Sequence, residues 1–548
     1  MNDTLVVIEL DGPLPSARTL AFAGARAAAA AVGLGEREFT AALSELDTLR
    51  ALGLGARVRA LDASTFYARR LASVRRFRGV GGGHLDEGSR GSMGGYPTLA
   101  EAEATLERLQ REHPRVVRIV TFGASVERRP LHALCLTADA AADCAPPASG
   151  GGAWGRTGAQ GVGPLPATLF TALTHPREPV TLVGLLDYVE QLLADHAAGD
   201  AAVAALLGSR RLWFAMVVNP DGYEHNRRMR PAGGGTKRKN GRPNRACHSL
   251  SDQGVDINRN WGYRFGRDDA GSSPSACAED YRGSAAFSEP EAAALAKLMR
   301  EQQVGFVLNL HGWGNSITHP FSYSALDTIR KKTPLSREQL LLFRRWGHDM
   351  CAHNGFVYGR AWETVGYEAN GLPDDWTQGV LGVPAMTVEL GSARDGFWPP
   401  LSRVPIISRQ LHGVLAYSSR VSGSYLRPQL LHVQAGQALK NGGTMKNGGT
   451  VLSVQLTVDN VGMRSAGRAS AVRIRLAAGG GTSFQNVRAL PAERQRQAGG
   501  RPPVACKWSV GERDGAGAGT NTTHKNQRLV FVRTNIKHRI VTAVVVVL

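Results

Sequence analysis

The chain has 548 residues, 43% of them hydrophobic and 20% charged, which excludes one ordinary domain and is ample for a large core. A formal net charge of +19 favours contact with polyanions. The basic residues are Arg-rich and dispersed, with no nucleic-acid motif or aromatic–basic stacking pattern, so no specific nucleic-acid partner is expected. No transmembrane segment is expected: Ala21–Val32 is short and interrupted by Arg, and Ala543–Leu548 suits a strand.

In chain order, Met1–Glu9 carries acids early and no basic start ahead of an apolar core, which is not the pattern of a signal peptide. Phe39–Leu52 has helical apolar spacing, Val58–Leu61 reads as a short strand and Ala63–Phe77 as a helix. Gly79–Gly88 reads as a flexible linker. A helix is predicted over Thr98–His113, strands near Val116–Phe122 and Leu131–Thr137, and a Gly-rich surface insertion over Pro146–Pro166. Ala167–Thr174 is apolar and Thr-rich, a buried strand that stops at His175. Val304–Leu310 does the same before His311, and Val383–Val388 before Glu389. Beyond 426, Val451–Val461, Ala469–Leu476, Val530–Thr534 and Ile540–Leu548 alternate in the strand manner. They predict a C-terminal β-sandwich over 427–548, after a unit over 1–90 and a main domain over 91–426. The repeated Lys-Asn-Gly-Gly-Thr at Lys440 and Lys446 is a local duplication.

The residues that carry chemistry start with His175 and Glu178, three apart, so that one short turn can aim both at one point. His311 must be brought back by the fold. Two imidazoles and a carboxylate are the ligand set of a catalytic Zn²⁺, with the fourth tetrahedral position left for water. Such a His-Glu pair alone is commonly a surface salt bridge. Its place at the end of a core strand, like that of His311, is where open α/β sheets bind ligands.

Further strings fall in order: Asn219–Gly222, Gly254–Trp261, Tyr281–Gly283, Phe287–Glu291, Tyr367, Asp374–Trp376 and Thr387–Leu390. Together with the His-Glu pair they resemble the funnelin-type zinc carboxypeptidases, the carboxypeptidase A/B/T family, from about Gly91 to about Leu426. The resemblance implies an α/β fold with a mixed eight-stranded sheet flanked by helices, and one Zn²⁺ held by His175, Glu178 and His311. It implies hydrolysis of the C-terminal bond of peptides and proteins. Glu389, at a strand end where desolvation would raise its pKa, is expected as the base. Arg238 is expected to polarise the scissile carbonyl. The Trp usually found before it is absent and Pro231–Gly235 looks inserted, so Arg230 is a rival. Asn258, Arg259 and Tyr367 are expected to bind the terminal carboxylate, with Arg177 in support, and Asp256 to orient the first His. Asp374, with Asp375 one register away, falls at the base of the pocket for the terminal side chain and implies a preference for Lys or Arg. Residues 1–90 are similar to the shortened pro-segments of bacterial-type members, which would cover the funnel. The alternatives are a zinc amidohydrolase acting on a different amide, or a catalytically silent binding protein on the same fold.

Among six Cys, Cys247 and Cys277 align with a bridged pair of some family members, so a disulfide is expected there. Cys135, Cys144, Cys351 and Cys506 are expected to be buried and free. The bridge and the resemblance point to an extracellular or secretory location, against the N-terminal pattern. Asn521–Thr523 fits a glycosylation acceptor.

Overall fold

A computed structural model of the chain describes residues 5–12, 36–76, 91–144, 164–326 and 335–423, a few residues between 14 and 31, and the backbone of the strands between 426 and 547. The Gly79–Gly88 linker, most of Pro146–Pro166, the Lys440/Lys446 duplication and Asn521 lie outside the described residues. The chain divides into two compact units: residues 1–194 with 207–422, and 195–206 with 423–548.

The first unit begins with β1 (Leu5–Asp11), β2 (Glu38–Ala42), α1 (Leu43–Ala51), β3 (Gly55–Ala60) and α2 (Ala63–Arg76). The strands form an antiparallel sheet in the order β2-β1-β3. The helical spacing of Phe39–Leu52 misjudged its start. Residues 38–42 pair with β1, and the helix begins only at Leu43. A strand partner distant in sequence overrides local periodicity.

The main sheet contains β4 (Val117–Ala124), β5 (Pro130–Leu136), β6 (Ala167–Thr171), β7 (Arg211–Ala215), β8 (Val304–His311), β9 (Ser316–Thr318), β10 (Val357–Gly359) and β11 (Ala385–Glu389). Their order is β10-β9-β11-β8-β6-β7-β5-β4. The pairs β11-β8, β8-β6 and β6-β7 are parallel, while β4, β5 and β9 introduce antiparallel pairs. This is the mixed eight-stranded sheet anticipated. The central strands β6 and β7 are buried at every residue, which accounts for their unbroken apolar runs. The longer helices are α3 (Leu99–Glu112), α4 (Val180–Ala197), α5 (Pro220–Met229), α6 (Pro290–Glu301), α7 (Arg337–Cys351), α8 (Pro373–Leu381) and α9 (Val404–Val421). In α3 the start is set by a capping box, in which Thr98 and Glu101 satisfy each other's backbone N–H groups.

Two disulfides stand in this unit. Cys247–Cys277 is the expected pair. Cys135–Cys144 corrects the expectation that both were free. A short helical turn at Ala140–Asp143 folds the chain back on the end of β5, leaving the two Cα atoms 6.2 Å apart, within bridging range. Cys351 is free, and the side chain of Cys506 lies outside the described residues.

Glu291, on α6, is wholly buried and accepts from the Val126 N–H (3.1 Å) and Asn240 Nδ2 (3.2 Å). Burial, reinforced by the neighbouring Glu289, pushes its pKa up to about 7. A carboxyl raised in the folded state is most favourable below its unfolded pKa, and this contribution is lost as pH climbs to the folded value. Glu291→Gln does not titrate. Its stability relative to the wild type should therefore rise between about pH 4.5 and 7, by on the order of 3 kcal/mol. Thermal melts across this range that stay parallel would contradict it.

The second unit holds a three-stranded antiparallel sheet of β12 (Leu426–Gln437), β13 (Thr450–Asn460) and β16 (Ala505–Val510). A four-stranded antiparallel sheet, in the order β15-β14-β18-β17, is built from β14 (Val472–Ala478), β15 (Gly481–Gln485), β17 (Arg528–Ile536) and β18 (Arg539–Val547). No helix of the described residues is long and apolar enough to cross a membrane.

Candidate metal centre and active site

Three neighbouring parallel strands, β6, β8 and β11, end at the same side of the sheet. His311 closes β8, and Glu389 closes β11 directly opposite it in register. His175 follows β6 through a tight turn in which Leu173 takes a left-handed φ of 49°, a conformation costly for a branched side chain. The turn is held by Thr181, whose hydroxyl donates to the Glu178 carbonyl (2.7 Å) and accepts from the Leu173 N–H (3.2 Å). His175 and Glu178 thereby face one point at the head of α4.

His175 Nδ1 lies 2.8 Å from Glu178 Oε1 and 3.0 Å from His311 Nδ1, and His311 Nδ1 lies 3.2 Å from Glu178 Oε2. All three residues are buried. A tetrahedral zinc with bonds of about 2.05 Å separates its ligands by roughly 3.3 Å, close to each of these spacings. Among the described residues this is the one group with metal-binding geometry. Charge favours an ion there too. Burial, then Arg238, lowers the pKa of His175 and keeps it neutral. Glu178 stays ionised because, against the cost of burial, His175 and His311 hold its pKa far below the usual range. His311 is raised despite burial, because Glu178 draws positive charge to it. The donor set thus fits one Zn²⁺, a positive charge placed where three lone-pair groups converge.

The other imidazole nitrogen of His175, Nε2, meets Asp256 Oδ1 at 3.3 Å, which fixes the tautomer and frees Nδ1. The opposite oxygen of Asp256 accepts from Arg238 Nε (2.9 Å) and Nη2 (2.7 Å). Burial opposes charge on Asp256, but the Arg238 guanidinium and His175 hold its carboxyl well below the carboxylate range. Arg238 Nη1 approaches His175 Nδ1 at 3.4 Å. Arg230 lies elsewhere, on Ser64 and Asp62.

A cavity of about 450 Å³ is lined by His175, Glu178, Arg238 and Glu389. Asn258, Arg259, Tyr367 and Arg177 line it too, so six of the seven residues assigned to catalysis or substrate share one space. The Arg259 guanidinium gives one bond to the Asn258 carbonyl (2.8 Å), and its Nε has no partner among the described residues. Arg177 is held by Glu279 (2.7 Å) and lies over the Phe397 ring (4.1 Å). Burial raises the Glu389 carboxyl to about 7, against the pull of His311.

Asp374 stands apart from that lining. It is 4% exposed and accepts from Asn309 Nδ2 and, at 2.6 Å, from Thr387 Oγ1. Burial raises its pKa to about 6. Asp375 instead accepts from the Ser322 N–H (3.0 Å), a backbone role. The sequence reading passed over Asn309, Thr387, Glu279 and Trp313. Period-two alternation offered a signal for two of them. Asn309 precedes His311 by two residues and Thr387 precedes Glu389 by two, so each shares a strand face with a site residue.

Fold and donor set together define a zinc metallohydrolase. Comparison with known proteins agrees: the family model described as Zinc carboxypeptidase matches residues 102–411. Carboxypeptidase A1 of Bos taurus is 27% identical over 326 residues, 58% of this chain and 68% of its own length. Zinc carboxypeptidase A 1 of Anopheles gambiae is also 27% identical over 326 residues, 57% of this chain and 64% of its own. The carboxypeptidase A from Helicoverpa armigera shares the fold, with a TM-score of 0.55 at 20% identity over 76% of this chain and 97% of that one. The chain belongs to the zinc carboxypeptidase family.

Proposed function

We propose that this enzyme removes the C-terminal residue from peptides and proteins, with a preference for Lys or Arg. The observation that carries the reading is one cavity lined by His175 and Glu178 of the triad, by Glu389, and by the carboxylate-binding types Asn258, Arg259 and Tyr367, with His311 converging on the same two ligands. His175, Glu178 and His311 would hold a zinc ion, which when bound would supply Lewis acidity and lower the pKa of water to about 7. Glu389 takes the proton of the attacking water and later gives it to the leaving amine. Arg238 donates hydrogen bonds to the scissile carbonyl oxygen as charge gathers there. Asp256 keeps both His175 and Arg238 in place. Asn258 and Arg259 grip the free carboxylate, Tyr367 closes over it, and Arg177 supports that subsite.

Basic specificity is assigned to Asp374. Its carboxylate, which lies outside the cavity lining, has two neutral hydrogen-bond donors and no Lys or Arg salt bridge among the described residues, so the assignment rests on its place in the family resemblance. Residues 1–90 act as a pro-segment-like unit at the mouth of the funnel, and 427–548 as a β-sandwich appendage. The protein is assigned to an oxidising compartment, extracellular or secretory, a reading supported by two disulfides. Thiol labelling of protein from its native source that modifies Cys135 or Cys247 without reductant would overturn it.

The direct test is hydrolysis of matched peptides ending in Lys, Arg, Phe, Leu and Glu. Lys and Arg ends should be cleaved fastest, and chelation should abolish all cleavage until zinc is restored. Faster cleavage of Phe ends would remove the Asp374 assignment. Undiminished cleavage of peptides blocked as C-terminal amides would favour the amidohydrolase alternative.

A further inference from the structure

The loop between the helical turn Ala361–Thr364 and α8 carries Tyr367, followed by the pair Asn370–Gly371. Asn-Gly is a turn signal, but here the asparagine is fully buried and uses both ends of its amide. Asn370 Nδ2 donates to the Asp268 carbonyl (3.1 Å) and to Asp268 Oδ1 (3.0 Å), and Asn370 Oδ1 accepts from Ser272 Oγ (2.5 Å). The Asn370 backbone N–H donates to the Gly271 carbonyl (3.2 Å). The loop 268–272 that receives this amide is itself braced. Asp268 Oδ1 accepts from the Gly271 N–H (2.7 Å), and Arg282 Nη1 donates to the carbonyls of Asp268 (3.1 Å) and Ser272 (3.0 Å). A Cβ on Gly271 would stand 2.5 Å from Asn370 Nδ2, so the loop closes on the amide without spare room.

The same anchor reaches a second segment of the site. Gly371 has a φ of +70°, and a Cβ there would collide with the Arg259 carbonyl, so only glycine permits the approach. The Gly371 carbonyl accepts from the Trp261 N–H (3.1 Å). Asn258 and Arg259 stand on the short turn Ile257–Arg259, which Asp256 caps. On the Tyr367 side, the Ala369 N–H donates to the Ser322 carbonyl (3.0 Å), and Glu368 Oε1 accepts from the Ala325 N–H (2.8 Å). Asn258, Arg259 and Tyr367, which all line the catalytic cavity, therefore hang on one frame with Asn370 at its centre.

We infer that Asn370 is a positioning residue for the substrate's terminal carboxylate, fixing the spacing between Tyr367 and the Asn258–Arg259 pair so that all three close on one group. The inference rests on the carboxypeptidase reading above. A carboxylate held from two separate loops is bound well only if the loops keep their distance, because hydrogen bonds weaken quickly beyond about 3.2 Å. Among the described residues no hydrogen bond joins Asn370 to the triad or to Glu389, so its loss should spare the chemistry at the metal.

The test uses the full zinc-loaded chain, a peptide with a free C-terminus and two inhibitors. One is the free amino acid released from that peptide, which binds through its carboxylate. The other is acetohydroxamate, which has no carboxylate and binds the zinc. Asn370→Ala should raise KM and the inhibition constant of the amino acid by about tenfold, with kcat held within about threefold and the acetohydroxamate constant unchanged. Asp268→Ala, at the less buried end of the anchor, should give a smaller shift of the same kind, and it carries the test should Asn370→Ala not fold. An unchanged KM in the variants would overturn the inference. So would equal losses of amino-acid and acetohydroxamate binding, since the substitution would then have loosened the whole cavity. If the wild type cleaves the same peptide blocked as a C-terminal amide just as fast, carboxylate recognition itself fails and takes this inference with it.

Discussion

Glu389→Gln should leave zinc bound and lower kcat by about 10²-fold or more. Glu389 is not one of the three converging ligands, so metal analysis of the variant should match the wild type. Its place opposite His311 is set by strand register, and a Cβ on Gly314 would lie 2.8 Å from its own Cβ, so the neighbouring backbone holds it closely. Glutamine keeps the shape and the hydrogen-bonding reach but cannot carry a proton between water and amine. The same group should set the acid limb of the pH profile. Burial raises Glu389 to about 7, and a dication on the triad would lower it from there. The base is lost as pH falls through that pKa, so kcat/KM should drop on the acid side of about 7, with a limb that Glu389→Gln abolishes. A variant with wild-type turnover would discard this mechanism.

Arg238→Ala should lower kcat/KM by about 10²–10³-fold, the usual cost of one donor to a developing oxyanion, about 2.7–4 kcal/mol. Because that interaction strengthens in the transition state, the loss should appear mainly in kcat and not in KM. A second effect follows from Asp256, which is fully buried and takes two of its hydrogen bonds from this guanidinium. Leaving a buried carboxylate without its cation typically costs about 3–5 kcal/mol. Asp256 keeps His175 and the Asn258 N–H, which places the loss at the lower end. Arg238→Lys restores the charge without the two-pronged bond, and should recover stability more fully than kcat. If the alanine variant retains kcat within about twofold, Arg238 does not polarise the carbonyl.

Much of the site was legible because its parts are local or sit at element ends. His175 and Glu178 share one turn, and His311 and Glu389 each end an apolar run that the sheet buries on both faces. The helix expected over Thr98–His113 is present as α3, its start fixed by the Thr98–Glu101 capping box. The family resemblance implied a bridge between Cys247 and Cys277, and that bridge is present. Other points were not legible. Arg230 and Arg238 sit in similar basic runs, and no local pattern says which one faces Asp256. The Cys135–Cys144 bridge depends on a short turn of helix with little signal of its own. Phe39–Leu52 carries a helical period, yet its first residues pair with β1.

The sequence by itself determined the chemical vocabulary: which residues can ligate zinc, move a proton or grip a carboxylate, and that His311 and Glu389 close buried strands. Only the tertiary structure decided which arginine meets Asp256, which cysteines bridge, and that residues 40–48 stand over the catalytic cavity. The reason is physical. Side-chain type and period are carried by neighbouring residues, but a distance between side chains far apart in sequence exists only after the core has closed and strand register has been set.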